Sequence, residues 1–333
     1  MKKRLWVYIF LTFNLQTYAQ DPVFTQFYAA PTLLNPAFAG STGDTRLSIG
    51  YRNQWMNLSS DLTTIYASAD SWYEGMNSGI GLHVINVQED LGNYNFSQID
   101  LSYAYHLQLS ENLTFFPGFG IGYGMRDINF NGLVLEDQID IGAGAIDPVT
   151  GDPLVTDLKE GPVSYLDISA GGMLYAENFW IGIGIRHINQ PDVSFLSGKE
   201  TLLHPLFSIH AGYRFGLSKE QSYRVPEASF LFLTFNYLSQ DAYNRFDVGT
   251  ELQLNKITLG LLASNTLHQI EEESTYLLSL NPLIGFRTNK MKFGFSYDFP
   301  VSEIGNTGST AELTLQYYIE KNYVRKRRWQ TKN

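Results

Sequence analysis

The stretch QIDLSYAYHLQL, Gln98–Leu109, alternates without a break. Ile99, Leu101, Tyr103, Tyr105, Leu107 and Leu109 hold one set of positions; Gln98, Asp100, Ser102, Ala104, His106 and Gln108 hold the other. A strand sends successive side chains to opposite faces, so this segment reads as a strand with one apolar and one wet side. Phe119, Ile121, Tyr123 and Met125 repeat the pattern against Gly120, Gly122, Gly124 and Arg126. Further runs fall at 46–55, 62–73, 78–89, 163–176, 178–188, 205–216, 227–239, 244–254, 256–265, 275–287, 291–300 and 309–320, which predicts fourteen strands.

The connections choose the architecture. Ser110-Glu111-Asn112, Ala176-Glu177-Asn178, Asn255-Lys256 and Thr288-Asn289-Lys290 are short and polar, and they alternate with long stretches at 130–162, 189–204 and 266–274. Short turns at one end and long loops at the other describe an outer-membrane barrel, with the short turns periplasmic. An even strand number with both termini periplasmic puts all three long stretches outside. The 217–226 connection breaks the rule, being longer than a periplasmic turn should be. Closure removes the unpaired edges that lipid does not tolerate; a soluble double sandwich is the competing arrangement. The prediction is therefore an all-β transmembrane barrel.

Composition agrees. Aromatics make up 14% of the chain, charged residues 17%, and there are 29 glycines and no cysteine. A net charge of −10 excludes general nucleic-acid binding, which needs an excess of Lys and Arg to neutralise phosphates. Without cysteine there is no disulfide and no thiolate metal site.

The ends divide the chain. Lys2, Lys3 and Arg4, an apolar Leu5–Leu15 and the small-residue site Thr17-Tyr18-Ala19 predict a signal peptide over 1–19. That apolar run is much shorter than the ~20 residues of a spanning helix. Residues 20–42 contain QDPVFTQFYAAPTLLNPAFAG, with three prolines, no alternation and much apolar surface. Proline cannot donate to a ladder, so this segment is not a strand; it is expected to pack as a plug at or in the lumen. Residues 43–320 form the barrel, and 321–333 a basic tail.

Spacing offers no catalytic chemistry. The six histidines show no HExxH or other ligand pattern. His106 shares a strand face with Asp100 and Ser102, but lumen-facing polar residues are ordinary in barrels, and a triad is defined by geometry. Gly120, Gly122 and Gly124 alternate within a strand and read as room for bulky neighbours, not as a nucleotide loop. The 130–162 loop carries Glu136, Asp137, Asp140, Asp147, Asp152, Asp157 and Glu160 against Lys159 alone. Its spacing matches no calcium loop, and it reads as a solvated acidic surface able to contact a partner. No enzyme, cofactor or metal is expected.

The N-terminal QDPVFTQFYAAPTLLNPAFAG followed by YRNQW (Tyr51–Trp55) resembles the signature of the PorP/SprF outer-membrane proteins of the Bacteroidota type IX secretion system. Three further stretches resemble the family in the expected order. They are VINVQEDLGNYNFSQIDLSYAYHL (Val84–Leu107), IGIGIRHINQPDVSF (Ile181–Phe195) and FGFSYDFPVSEIGNTGSTAELTLQYYI (Phe293–Ile319). The chain departs from the pattern at Thr310-Ala311-Glu312 and in its longer basic tail. The resemblance implies a barrel of about fourteen strands that tethers secreted cargo, such as gliding adhesins, at the cell surface through the cargo's C-terminal sorting domain. It implies as partners that cargo, type IX secretion components including a periplasmic peptidoglycan-linked protein, and the lipid bilayer. Its motif residues, the candidate plug and partner contacts, are Phe24, Phe27, Tyr28, Asn35, Pro36, Gly40, Arg52, Gln54, Trp55, Asn189, Gln190, Pro191, Tyr297 and Asp298. The alternative function is a porin or specific diffusion channel.

Overall fold

The computed structural model describes residues 21–56, 61–89, 93–129, 134–140, 142, 144–159, 161–217, 229–270, 272–301 and 308–321. The expected signal peptide (1–19), the tail from 322 onward and the 218–228 connection lie outside these residues.

Among the described residues fourteen strands form one antiparallel sheet. They are β1 (Thr45–Gln54), β2 (Leu62–Tyr73), β3 (Ser78–Glu89), β4 (Tyr94–Tyr105, resuming at Leu107–Ser110), β5 (Leu113–Asp127), β6 (Val163–Ala176) and β7 (Phe179–Arg186). There follow β8 (Leu206–Leu217), β9 (Ser229–Gln240), β10 (Tyr243–Leu254), β11 (Ile257–Ile270), β12 (Glu272–Arg287), β13 (Met291–Pro300) and β14 (Thr310–Ile319). Each pairs with the next, and β14 returns to β1 in a register running from Thr45↔Ile319 to Asn53↔Ala311, so the sheet closes. Closure leaves the sheet without an open edge, which lipid requires.

The period-two reading fixes the faces. Ile99, Leu101, Tyr103, Tyr105 and Leu107 are each 40–50% exposed on the outside, while Gln98, Asp100, Ser102 and His106 are buried in the lumen. The chain places its apolar row toward lipid and its polar row inward, the inverse of a soluble protein.

Two expectations change. The 266–274 stretch is not a long loop: β11 and β12 pair onward to Ile270↔Glu272, with a register irregularity between Ser264 and Asn265. Backbone pairing continues there although the sequence loses its apolar alternation. The fifth strand also starts earlier than residue 119, at Leu113, and runs through Pro117.

The segment before β1 lies inside the barrel. It forms a 3-10 turn (Phe27–Ala29), a short helix (Pro31–Leu34) and a second 3-10 turn (Pro36–Phe38). Pro31 and Pro36 each occupy a first helical turn, where the missing N–H costs nothing. Asn35 links the two turns, its Oδ1 accepting from Ala37 N at 2.9 Å.

Candidate functional site in the barrel lumen

The segment runs the length of the lumen, from the long-loop end to the short-turn end where β1 begins. Its polar anchors come from strands far away in sequence. At the start, Asp21 Oδ2 meets Arg186 Nη1 at 3.0 Å and His187 Nε2 at 2.7 Å, and Asp21 N donates to Gln240 Oε1 at 3.1 Å. Asp167 approaches the other ring nitrogen of His187 at 2.9 Å. Burial alone would raise the Asp21 carboxyl, but the His187 and Arg186 charges outweigh it and hold the group well below the usual carboxylate range.

The second anchor is the densest. Glu312, 1% exposed, accepts from Thr25 N at 2.9 Å through Oε2 and from Gln26 N at 3.0 Å through Oε1. Arg52 bridges the same group, with Nη1 2.9 Å from Glu312 Oε2 and Nη2 3.2 Å from Asp298 Oδ2. Thr25 Oγ1 donates to Asp298 and accepts from Arg52 Nη1 at 3.1 Å. The Gln26 amide nitrogen reaches Ser296 Oγ and the Glu312 carbonyl, each at 3.2 Å, and its oxygen accepts from Thr314 Oγ1 at 2.8 Å. A buried carboxylate with this many donors is compensated for losing water.

The third anchor is Asn35. Its Nδ2 lies 2.8 Å from Ile183 O and 3.0 Å from His210 Nε2. Below it the chain presses on bare backbone: a Cβ at Gly118 would lie 2.3 Å from Ala37 N, and one at Gly79 1.9 Å from Ala39 O. At these two positions the segment and the wall approach so closely that only glycine fits. Gly40, at φ +67°, then turns the chain toward β1 while its N–H donates to Asp70 Oδ2 at 3.0 Å.

Apolar contacts fill the spaces between anchors. Phe24 packs edge-on to Tyr66 with ring centroids 4.9 Å apart, in a buried cluster with Leu33, Phe96, Tyr165, Val193 and Leu203. Val193 and Leu203 belong to the 187–205 connection, so that loop caps this end of the lumen. Phe27 packs with Leu262 and Leu283. Lys292 Nζ sits 4.5 Å from the Tyr28 ring centroid.

Of the motif residues, Phe24, Arg52 and Asp298 come together around Thr25, with Gln54 Oε1 at the limit of reach of Arg52 Nε, 3.5 Å. Phe27, Tyr28, Asn35, Pro36 and Gly40 lie along the segment. Asn189 Nδ2 donates to Leu166 O at 2.7 Å, Gln190 takes a positive φ of 43°, and Pro191 O accepts from Leu203 N at 2.9 Å; these three shape the capping loop. Two do not join the site. Trp55 follows the end of β1 with φ +67°, and Tyr297 lies on the outer face of β13, its ring 4.6 Å from Phe299. Sequence reasoning missed Asp21, Gln26, Arg186, His187 and Glu312. The available signal was a charge at an inward position of an alternating strand, which marks the lumen but names no partner.

The imagined His106 triad is absent. The His106 ring stacks on Trp72 at 4.2 Å and reaches Ala39 O at 3.2 Å, while Asp100 meets His83 at 2.8 Å. In the acidic loop, Asp137 accepts from Thr150 Oγ1 and from Gly151 N at 2.7 Å. Among the described residues no group of three or more His, Asp or Glu could hold a metal.

Closure, a lipid-facing apolar row and a polar lumen define an outer-membrane β-barrel, one whose lumen holds its own N-terminal segment. The model of the type IX secretion system membrane proteins PorP/SprF matches residues 16–317, and the chain belongs to that family. It is therefore a membrane component associated with the type IX secretion machinery. No curated protein matches the sequence. Among solved structures, the CymD monoaromatic hydrocarbon channel is 13% identical with a TM-score of 0.48, covering 89% of this chain and 94% of that one. The Pseudomonas putida toluene transporter TodX is 10% identical with a TM-score of 0.45, covering 87% and 93%. The Acinetobacter baumannii outer membrane protein Omp33 is 6% identical, also at 0.45, covering 83% and 98%. The strand pairings, not these likenesses, establish the fold.

Proposed function

We propose that this barrel binds secreted cargo through the cargo's C-terminal sorting domain and holds it at the cell surface, by non-covalent recognition and without catalysis. The observation that carries the reading is the occupied lumen: three polar anchors and a capping loop fill the path a diffusing solute would take. A barrel closed in this way offers its surfaces to partners rather than a passage to solutes. The long-loop end, with the 134–159 acidic stretch and the 187–205 cap, faces outward and meets the cargo. The short-turn end faces the periplasm, where a peptidoglycan-linked component of the machinery docks. Residues 1–19 direct export and are removed. Gliding adhesins of a Bacteroidota cell are cargo of the right kind.

The test is a deletion strain complemented with the wild-type chain, scored for cargo on the surface and in the medium, with a pull-down of the purified barrel by isolated sorting domains. Cargo should be lost from the surface, and the barrel should be retained by the sorting domain. Normal surface attachment together with no retention would overturn the reading. High single-channel conductance of the intact protein would favour a porin instead.

A further inference from the structure

The segment leaves one part of the lumen unfilled. At the short-turn end a recess of about 230 Å³ lies between Phe27, Leu34 and Phe38 of the segment and Trp180 of β7, with Arg46 and Arg214 also lining it. A narrower space of about 40 Å³ on the long-loop side shares Phe27 and Leu34 as its walls. Phe27 and Leu34 thus stand between the two spaces, with the larger one at the short-turn end.

Three of its polar groups are donors, and the Glu177 carboxylate also lines it. The Trp180 indole packs edge-on to Phe38 with centroids 5.4 Å apart, and its N–H meets no acceptor among the described residues. Arg46, 6% exposed, donates from Nε to Asp70 Oδ1 at 2.8 Å, but its buried Nη2 has no partner among the described residues. Arg214 is half-buried and gives Nη2 to the Glu177 carbonyl at 3.1 Å, leaving its charge unpaired by a carboxylate among the described residues. Of the three only Arg46 Nη2 is buried without a partner, and an unpaired buried donor is costly. Pockets for drug-sized ligands run to about 300–1,000 Å³; this recess, at about 230 Å³ and walled mostly by aromatic and aliphatic side chains, is smaller and suits a single chain better than a folded peptide.

We propose that the recess binds an amphiphile with one linear apolar chain and an anionic head. The chain lies along Phe27, Leu34 and Trp180, and the head is held by Arg46 and Arg214. A free fatty acid from the periplasm and the acyl chain of an anionic membrane lipid share this chemistry.

The test uses chain-brominated dodecanoate and the full-length protein in a detergent-free amphipol, read by tryptophan quenching. The acid should quench saturably, and Trp180→Phe should remove the quenched component. Leu34→Phe, which fills the recess, should weaken binding at least tenfold, and Arg214→Gln should weaken the acid but not brominated dodecanol. A second arm places the protein in nanodiscs with brominated phosphatidylglycerol. Quenching of Trp180 there identifies membrane lipid as the source, and quenching by added dodecanoate alone identifies free fatty acid. Folding of each variant is checked by its strand circular dichroism. The proposal is overturned if neither probe quenches Trp180, if the alcohol binds wild type as well as the acid, or if folded Leu34→Phe binds unchanged.

Discussion

Replacing Glu312 by alanine should undock the N-terminal segment without unfolding the barrel. The carboxylate accepts from two segment N–H groups and from Arg52, all at 2.9–3.0 Å, and it is 1% exposed. Removing one partner of a buried charged pair costs about 3–5 kcal/mol. Arg52 keeps Asp298 at 3.2 Å, so the lower end applies. About 3 kcal/mol is roughly a hundredfold in the docking equilibrium. The assay uses Thr32→Cys as a reporter, because the chain has no native cysteine. Thr32 is 3% exposed and its hydroxyl has no hydrogen-bond partner among the described residues, so the exchange removes no contact. A membrane-impermeant maleimide should label the reporter roughly a hundredfold faster when Glu312→Ala is added, provided opening precedes labelling. Leu313→Ala, on the outer face at 54% exposure, is the control and should leave the rate unchanged. Equal rates in Glu312→Ala and wild type would refute the claim that this carboxylate holds the segment.

Gly118→Val should have a related effect for a steric reason, since its Cβ would lie 2.3 Å from backbone; single-channel conductance should rise, and an unchanged closed state would count against the close approach. Deleting residues 21–34 removes the large buried apolar side chains Phe24, Phe27 and Leu33, each worth about 1.5–3 kcal/mol; the deletion should lower the melting temperature in detergent and raise conductance. Ile99→Arg, at a position 45% exposed to lipid, should cost about 2–4 kcal/mol near the midplane and reduce the heat-modifiable folded band, whereas Ile99→Leu should not. Stability should also depend on pH through Asp21 and His187. The depressed Asp21 carboxyl contributes fully above about pH 4 and is lost as pH falls. Burial alone would lower His187, but the Asp21 charge and hydrogen bonds to Asp167 and Asp21 raise it; its contribution is complete below about pH 6.5 and fades as pH rises through that raised value. Melting temperature should therefore be highest between about pH 4 and 6.5, and His187→Gln should flatten the alkaline decline; matching profiles would remove His187 from the account.

Much of the barrel was legible from the chain alone. Alternation at Gln98–Leu109 and its repeats set both the strands and their lipid faces, because a strand's side-chain period is a local property of the backbone. Pro22, Pro31 and Pro36 likewise excluded a strand before residue 40, since each removes a ladder donor. What the tertiary structure decided was pairing across the lumen. Glu312 stands 287 residues from Thr25, and only closure of β14 on β1 brings that carboxylate beside Arg52 and over the segment. Inward charges at period two reveal a wet face, but which of them meet depends on register around the whole barrel. The hairpin beyond Ser264 was hidden for a similar reason, because its backbone pairing leaves no hydrophobic period in the sequence.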